Sequence, residues 1–350
     1  VIARDSAAAA RIFKAGLPVA FSHLFYQVWR SSMISKTLKL AVAALALSTT
    51  LNAQAAGWQP SGPIKMMIAF QAGGGTDTQG RLLAEELSER KGWTVLPENL
   101  PGKGGGTMAV ALKAEPADGL SIGLTVSEAL TYGPQVARNA GYDVGDFTMI
   151  STITGSQLAI FAKSDRGWKT LADVVAEAKK DGTKFTVGAM SPKLADATYV
   201  ISKQLGIEFT TVMVKGGKGG LNGVVADDLD MGWGAGPQNK GVSSGDLVNL
   251  MSAEEEPLVV SPDAPMLSEF GVPFTFGTKF MVIAPAGIPD DAREALAQAI
   301  SEIVQDPGSK LNAFISKAFS GPDVVNGQEL DDAIASSYAA SGALIKAAAE

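Results

Sequence analysis

Two side-chain types are all but missing from this sequence. It holds no cysteine and a single histidine, His23, among 350 residues. Without cysteine there can be no disulfide, no thiol nucleophile, no thiolate metal site and no lipid-modified N-terminal cysteine. Chemistry that needs an imidazole rests on His23 alone. Long apolar runs are missing too. Beyond Ala56 no segment reaches the roughly 18 consecutive apolar residues from which a spanning helix is read. Positive charge is in deficit, with 29 Lys and Arg against 36 Asp and Glu, a net charge of −7. A chain of that sign is a poor match for a phosphate backbone, so nucleic acid is not an expected partner. What is present is 46% apolar residues, 19% charged residues and 39 glycines. That composition argues against disorder, and the length suits two domains or lobes of roughly 150 residues each.

The N-terminal stretch reads as a leader rather than as part of the working fold. Met33-Ile-Ser-Lys-Thr-Leu-Lys39 carries two lysines, an uncharged and mostly apolar run follows from Leu40 to Leu51, and Ala53-Gln54-Ala55 comes next. A basic start, an apolar middle too short to span a membrane and an Ala-x-Ala site are the parts of a secretory signal. A buried core helix is the competing reading. The expected division is an upstream extension over residues 1–32, with Met33 as the true start, and a signal peptide over 33–55. Cleavage there removes six basic side chains, one acidic side chain and His23. The remainder then has 23 basic against 35 acidic residues, a net charge of −12.

Beyond Ala56 short apolar or β-branched runs alternate with helical patterns. The runs are Ile64–Phe70, Ser121–Val126, Thr148–Ile153, Leu158–Ala162, Phe185–Val187, Thr210–Val214, Leu247–Met251 and Phe280–Ala284. Over Asp77–Lys91 the positions Leu82, Leu83 and Leu87 share a face, with Glu85, Glu86, Glu89 and Arg90 largely opposite. Thr170-Leu-Ala-Asp173 is a capping-box pattern, and Asp181-Gly182 a stop. Pro289 suits a first helical turn, and Glu329–Ala349 is Ala-rich and helical in pattern. Strands alternating with helices predict an α/β fold with largely parallel sheets. No repeat or low-complexity linker divides the chain, which predicts interwoven lobes.

The chemistry lies in glycine-rich loops after strands. Phe70-Gln71-Ala72-Gly73-Gly74-Gly75-Thr76-Asp77 sits between a strand and a helix. Glycines there let successive N–H groups turn toward one point, and the helix N-terminus adds positive potential, which suits a carboxylate or phosphate. A tight structural turn is the plainer reading. No Lys-Ser or Lys-Thr closes the loop as a nucleotide P-loop requires, and a dinucleotide pattern would need glycine at Thr78. Gly104-Gly105-Gly106-Thr107-Met108-Ala109 does match the dinucleotide spacing, but it follows Pro101-Gly102 rather than a clear strand.

Ile64–Phe70 followed by Gln-Ala-Gly-Gly-Gly-Thr-Asp resembles the opening signature of the Bug/TctC family, extracytoplasmic solute receptors of tripartite tricarboxylate transporters. The resemblance continues in order. Pro97-Glu98-Asn99-Leu100-Pro101-Gly102-Lys103-Gly104-Gly105 looks like the family's Glu-Asn-x-Pro-Gly-x-Gly-Gly segment, and Glu115-Pro116-Ala117-Asp118-Gly119 like its Pro-Asp-Gly turn with one residue inserted. Tyr142-Asp143, Asp146-Phe147, Lys215-Gly216-Gly217 and Ala284-Pro285-Ala286-Gly287-Ile288-Pro289 fit later blocks. Together these cover nearly all of Trp58–Glu350.

The resemblance implies a two-lobed type II periplasmic binding protein fold with a central ligand cleft. Lobe 1 is expected over 58–156 and 276–350, and lobe 2 over 157–275. It implies a small carboxylate as ligand, with one carboxylate on the loop Phe70, Gln71, Ala72, Gly73, Gly74, Gly75, Thr76 and Asp77. Further contacts are expected from Ser127 after a strand, from Gly155 and Ser156 where the chain crosses lobes, and from Ala189, Met190 and Ser191 in a loop. Trp233 and Gly234 are placed near the start of another loop, and for Trp233 core packing and pocket lining are both open. The second-lobe loop Gly188–Asp196 is poorer in glycine than the family pattern and lacks its histidine. In Val214-Lys215-Gly216-Gly217-Lys218-Gly219-Gly220 the family's tyrosine is missing and Lys218 is gained. A cation there could pair with a second carboxylate, favouring di- or tricarboxylates; a solvated surface lysine is the alternative.

The expected partners are the ligand and the permease subunits of a tripartite tricarboxylate transporter. The expected place is the periplasm, free of a lipid anchor, as a monomer. No catalytic residue, metal or cofactor is expected. A secreted hydrolase is the alternative function. Its candidates are Ser88-Glu89-Arg90-Lys91, in the charged end of a helix, and the neighbouring carboxylates Asp227 and Asp228, which as acidic neighbours are more simply solvated.

Overall fold

The computed structural model describes residues 57–350, so the upstream extension and the signal segment lie outside the described residues. The chain opens with β1 (Ile64–Ile68), α1 (Gly75–Lys91), β2 (Val95–Asn99), α2 (Gly106–Lys113) and β3 (Ser121–Val126). Short helices α3 (Ser127–Thr131) and α4 (Gly133–Val136) lead to β4 (Phe147–Gly155). The chain then builds a second sheet from β5 (Ala159–Lys163), α5 (Leu171–Asp181), β6 (Phe185–Ala189), α6 (Pro192–Leu205) and β7 (Phe209–Met213). It continues with α7 (Gly216–Val225), β8 (Met231–Gly234), α8 (Asn239–Ser244) and β9 (Leu247–Ser252). It returns through β10 (Lys279–Pro285), and α9 (Asp290–Gln305), α10 (Lys310–Ala318) and α11 (Gly327–Ala349) complete it.

Two five-stranded sheets result, in the orders β2-β1-β3-β10-β4 and β7-β6-β8-β5-β9. In the first, β1 runs parallel to β2 and β3, while β10 is antiparallel to β3 and β4. In the second, β6 is parallel to β7 and β8, and β5 antiparallel to β8 and β9. The parallel core was legible in the strand–helix alternation. The antiparallel strands arise because the chain enters the second sheet after β4 and re-enters the first at β10, in the reverse direction. The α/β class and the two-lobed architecture are as the sequence reading expected.

Local signals explain the helix limits. The Thr170–Asp173 capping box opens α5, and Gly182, in the left-handed region, closes it. In α9 the side chains of Leu296, Ile300 and Ile303 are fully buried against the first sheet's core. Each such burial is worth about 1.5–3 kcal/mol. Helix α11 joins the lobes. Leu330 and Ile334 pack with first-lobe residues, whereas Leu344 packs in the second lobe's cluster.

Two strands differ from the sequence reading. Val95–Asn99 forms β2 despite Pro97, which is tolerated because β2 is an edge strand. Met231–Gly234 forms the central strand β8 rather than the start of a loop. Its two glycines remove the β-branched signal, and close neighbours require them. A Cβ on Gly232 would lie 3.2 Å from Phe161 and Val224 carbons.

Candidate functional site

The glycine loop leaves the carboxyl end of β1 and enters α1 with no side-chain N-cap. Gly73 has φ +77°, a conformation glycine adopts without strain. Gln71, Ala72 and Gly73 are exposed, Gly74 and Gly75 half-buried, and Thr76 buried. The N–H of Gly73 donates to Asp77 Oδ2 at 2.8 Å, and that of Gly74 to Gln71 O at 3.3 Å. Among the described residues the N–H groups of Gly75, Thr76 and Asp77 find no acceptor, as first-turn amides of a helix are left. They are the groups able to take an anion's oxygens.

Asp77 faces inward. Only 4% exposed, it accepts from Gly73 N, from Arg81 at 2.9 Å and from Asn99 at 2.9 Å. Burial acts to raise its pKa, but these partners outweigh burial and hold the carboxyl below its ordinary 3.8. As an ionised, acceptor-only group it braces the loop and offers a carboxylate ligand no donor. Asn99 also donates to Phe70 O at 3.0 Å, pinning the loop's other end. The half-buried Phe70 side chain packs on the first-lobe core.

The second lobe comes up to this loop. A Cβ built on Gly73 would lie 3.6 Å from Lys218 Nζ, on the first turn of α7. Gly104 faces Pro192, at the start of α6, with 3.8 Å between its Cβ position and Pro192 Cδ. Gly236 abuts the Phe319 ring and would collide with Ala318 O if it carried a side chain. The same ring lies 2.7 Å from the Cβ position of Gly75. Loops at the carboxyl ends of strands from both sheets thus converge, the arrangement in which open α/β sheets take ligands.

Other expected residues fall around this centre in distinct roles. Met190 is half-buried, its sulfur 3.6 Å from the Cβ position of Gly217 beside Lys218. Ser191 caps α6, its hydroxyl accepting from Leu194 N, and Ala189 is fully buried with its carbonyl taken by Val214 N. Ser127, Gly155 and Ser156 lie at the crossover. The Ser127 hydroxyl bonds Thr278 Oγ1 at 2.9 Å and accepts from Lys279 N at 3.1 Å. Gly155 N donates to Ser320 Oγ at 2.9 Å. Ser156, 2% exposed, donates to Glu254 Oε1 at 2.6 Å and accepts from Thr278 N at 2.9 Å.

Trp233 takes the core role. Its ring is fully buried, edge-on to Phe276 with centroids 6.1 Å apart, and its Nε1 donates to Thr198 Oγ1 at 2.8 Å. Gly234 is buried beside it, where a Cβ would overlap the Gln238 side chain. The expectation that both stand in a loop is corrected: they lie in β8, with no surface turned outward.

Two half-buried ionisable groups escaped the sequence reading. Lys193 Nζ donates to Phe276 O at 2.9 Å, and burial pulls its pKa down against the opposing influence of Glu128 and Glu254. Burial pushes the Glu254 pKa up, although Ser156 and Leu158 N donate to it. The hydrolase candidates hold ordinary surface pairs. Lys91 bonds Glu302, and Lys163 bonds Asp227.

A family profile described as "Tripartite tricarboxylate transporter family receptor" matches residues 80–349. A UPF0065 protein of Bordetella bronchiseptica is 30% identical over 286 residues, 78% of this chain and 82% of that protein. Among solved structures, R. palustris Rpa4515 with adipate has a TM-score of 0.76 at 21% identity, over 83% of this chain and 99% of that one. MatC from Rhodopseudomonas palustris with bound malate has a TM-score of 0.71 at 19% identity, over 82% and 100%.

Proposed function

The chain belongs to the tripartite tricarboxylate transporter receptor family, and on that footing we propose that it captures a small carboxylate, with di- and tricarboxylates favoured, and delivers it to the permease of such a transporter. Family and fold are those of solute-binding receptors, not of enzymes. One ligand carboxylate rests on the loop Gln71–Thr76, held by the N–H groups of Gly75 and Thr76. The lobes enclose the rest, with Lys218 and Met190 on the opposite wall. The periplasm is its place of work, reached through the signal segment at 33–55.

The observation that carries this reading is the set of unpartnered amides of Gly75, Thr76 and Asp77 at the head of α1, beside which the second lobe's Lys218 comes up to Gly73. Bound adipate and malate in two proteins of this fold support a dicarboxylate. The net charge of −12 beyond residue 55 does not oppose it. Scattered surface charges are screened beyond about 8 Å at physiological salt, whereas amide dipoles act at contact. A melting-shift screen of mono-, di- and tricarboxylates tests the proposal. At a hundredfold excess over Kd a bound acid adds about 2.7 kcal/mol to stability, which reads as a rise of several degrees. No shift across the whole panel contradicts it.

A further inference from the structure

We propose that the lobes turn on two glycine steps, Gly155–Ser156 and Gly277–Thr278, and that Glu254 is the positioning residue that sets the angle between them. This rests on the receptor reading above and adds the residue on which closure of the cleft, rather than contact with the ligand, depends.

A two-stranded ribbon connects the lobes. Gly155 at the end of β4 pairs with Lys279 at the start of β10, and one step further Ser156 N donates to Thr278 O at 2.9 Å. Along each strand the hydrogen-bond partners change lobe at a single step. On the outgoing strand, Gly155 N donates to Ser320 Oγ of the first lobe. The next groups belong to the second lobe: Ser156 Oγ, at 2.6 Å, and Leu158 N, at 2.7 Å, both donate to Glu254 Oε1. On the returning strand, Lys193 of α6 donates to Phe276 O at 2.9 Å and to Gly277 O at 3.5 Å, and Phe276 N donates to Ala253 O at 2.9 Å. One residue later the first lobe takes over, where Ser127 Oγ bonds Thr278 Oγ1 and accepts from Lys279 N. A rotation between the lobes has to be absorbed where a residue held by one is followed by a residue held by the other. Glycine, with its wide φ/ψ freedom, stands at both handovers.

Glu254, two residues past β9, touches both. Its Oε1 is the acceptor on the outgoing strand, and a Cβ on Gly277 of the returning strand would overlap its Oε2. The carboxylate is a wedge that accepts from one strand and fills the space beside the other. With the wedge in place the ribbon leaves the second lobe at one angle, the angle that brings Pro192 up to Gly104 and Lys218 up to Gly73. Without it Ser156 and Leu158 lose their acceptor, the ribbon bends over a range, and arrangements with the lobes apart become populated. A protein whose binding-competent arrangement is only partly populated binds every ligand more weakly by the same factor. A residue that touches the ligand instead costs affinity according to the chemistry of each ligand. That difference separates a brace from a contact.

Calorimetric titration of the full chain with succinate, glutarate and citrate, together with X-ray scattering of the unliganded protein, tests this. Glu254→Ala should weaken every acid that the native protein binds by about tenfold, with less than about threefold spread between acids, and should enlarge the unliganded radius of gyration. Gly277→Ala, which displaces the carboxylate and keeps its charge, should do the same, and it stands in should Glu254→Ala not fold. Glu254→Gln, which keeps an oxygen acceptor for Ser156 and Leu158, should recover most of the loss. Native affinities and radius in Glu254→Ala, even with a lower melting temperature, overturn the brace. So does a loss that falls on one acid and spares the others, which would make Glu254 a ligand contact. If the native protein binds none of the three acids, the receptor reading fails, and the unliganded radius still decides this inference: unchanged in Glu254→Ala and Gly277→Ala it is overturned, enlarged in both it stands.

Discussion

The Tyr132 hydroxyl, just past α3 in the first lobe, donates to Asp196 Oδ2 of α6 in the second. The ring is 1% exposed and packs within the second lobe's core cluster, while Asp196 is half-buried, so the bond ties the lobes at a partly covered contact. Burial, and then Asp196, push the tyrosine pKa up, keeping the hydroxyl a donor across the physiological range. Tyr132→Phe keeps the ring and removes this one bond. A hydrogen bond to a charged acceptor contributes about 1.5–3 kcal/mol. The variant should melt a few degrees lower and bind its acid about tenfold more weakly, with a larger radius of gyration by X-ray scattering when unliganded. Unchanged affinity and radius would show that the bond does not hold the lobes together.

Glu254 sets a pH dependence. Its burial raises the folded-state pKa above the ordinary 4.5, so the folded chain keeps the proton to higher pH than the unfolded chain does. This contribution to stability is therefore fully present below about pH 4.5 and is lost as pH rises through the folded value. Glu254→Gln keeps an oxygen acceptor for Ser156 and Leu158 N and removes the titration. Denaturant midpoints from pH 4 to 8 should flatten relative to the native protein, on the alkaline side of 4.5. Parallel curves for variant and native protein would contradict the assignment.

Trp233 offers a separation of stability from binding. Trp233→Phe removes the bond from Nε1 to Thr198 and some packing on Phe276, for a loss of about 1–3 kcal/mol. Ligand affinity, measured below the melting range, should stay within about twofold. A large fall in affinity with native stability would return Trp233 to the pocket wall.

The residues show why part of this was readable in sequence and part was not. The turn after β1 announced itself, because Gly73-Gly74-Gly75 between an apolar run and an amphipathic helix is a local pattern. Trp233 could not be assigned locally, since its core role depends on Thr198 and Phe276, far away in the chain. Glu254 stands in a run of three acids, Glu254–Glu256, and only its bonds to Ser156 and Leu158, distant in the chain, set it apart. Lys218 stood out as a gained cation, but its approach to Gly73, 145 residues earlier, is a product of the two-lobed fold alone. The alternation of strands and helices disclosed the α/β class, while Pro97 and the glycines of β8 hid two strands.

A ligand carboxylate at the head of α1 is what these points have in common, and a co-crystal structure with the tightest-binding diacid tests it most directly. One carboxylate is expected within about 2.7–3.2 Å of the N–H groups of Gly75 and Thr76. A diacid bound elsewhere would contradict it, for example in the hollow of about 450 Å³ between Lys163, Lys240 and Asp246 on the second lobe.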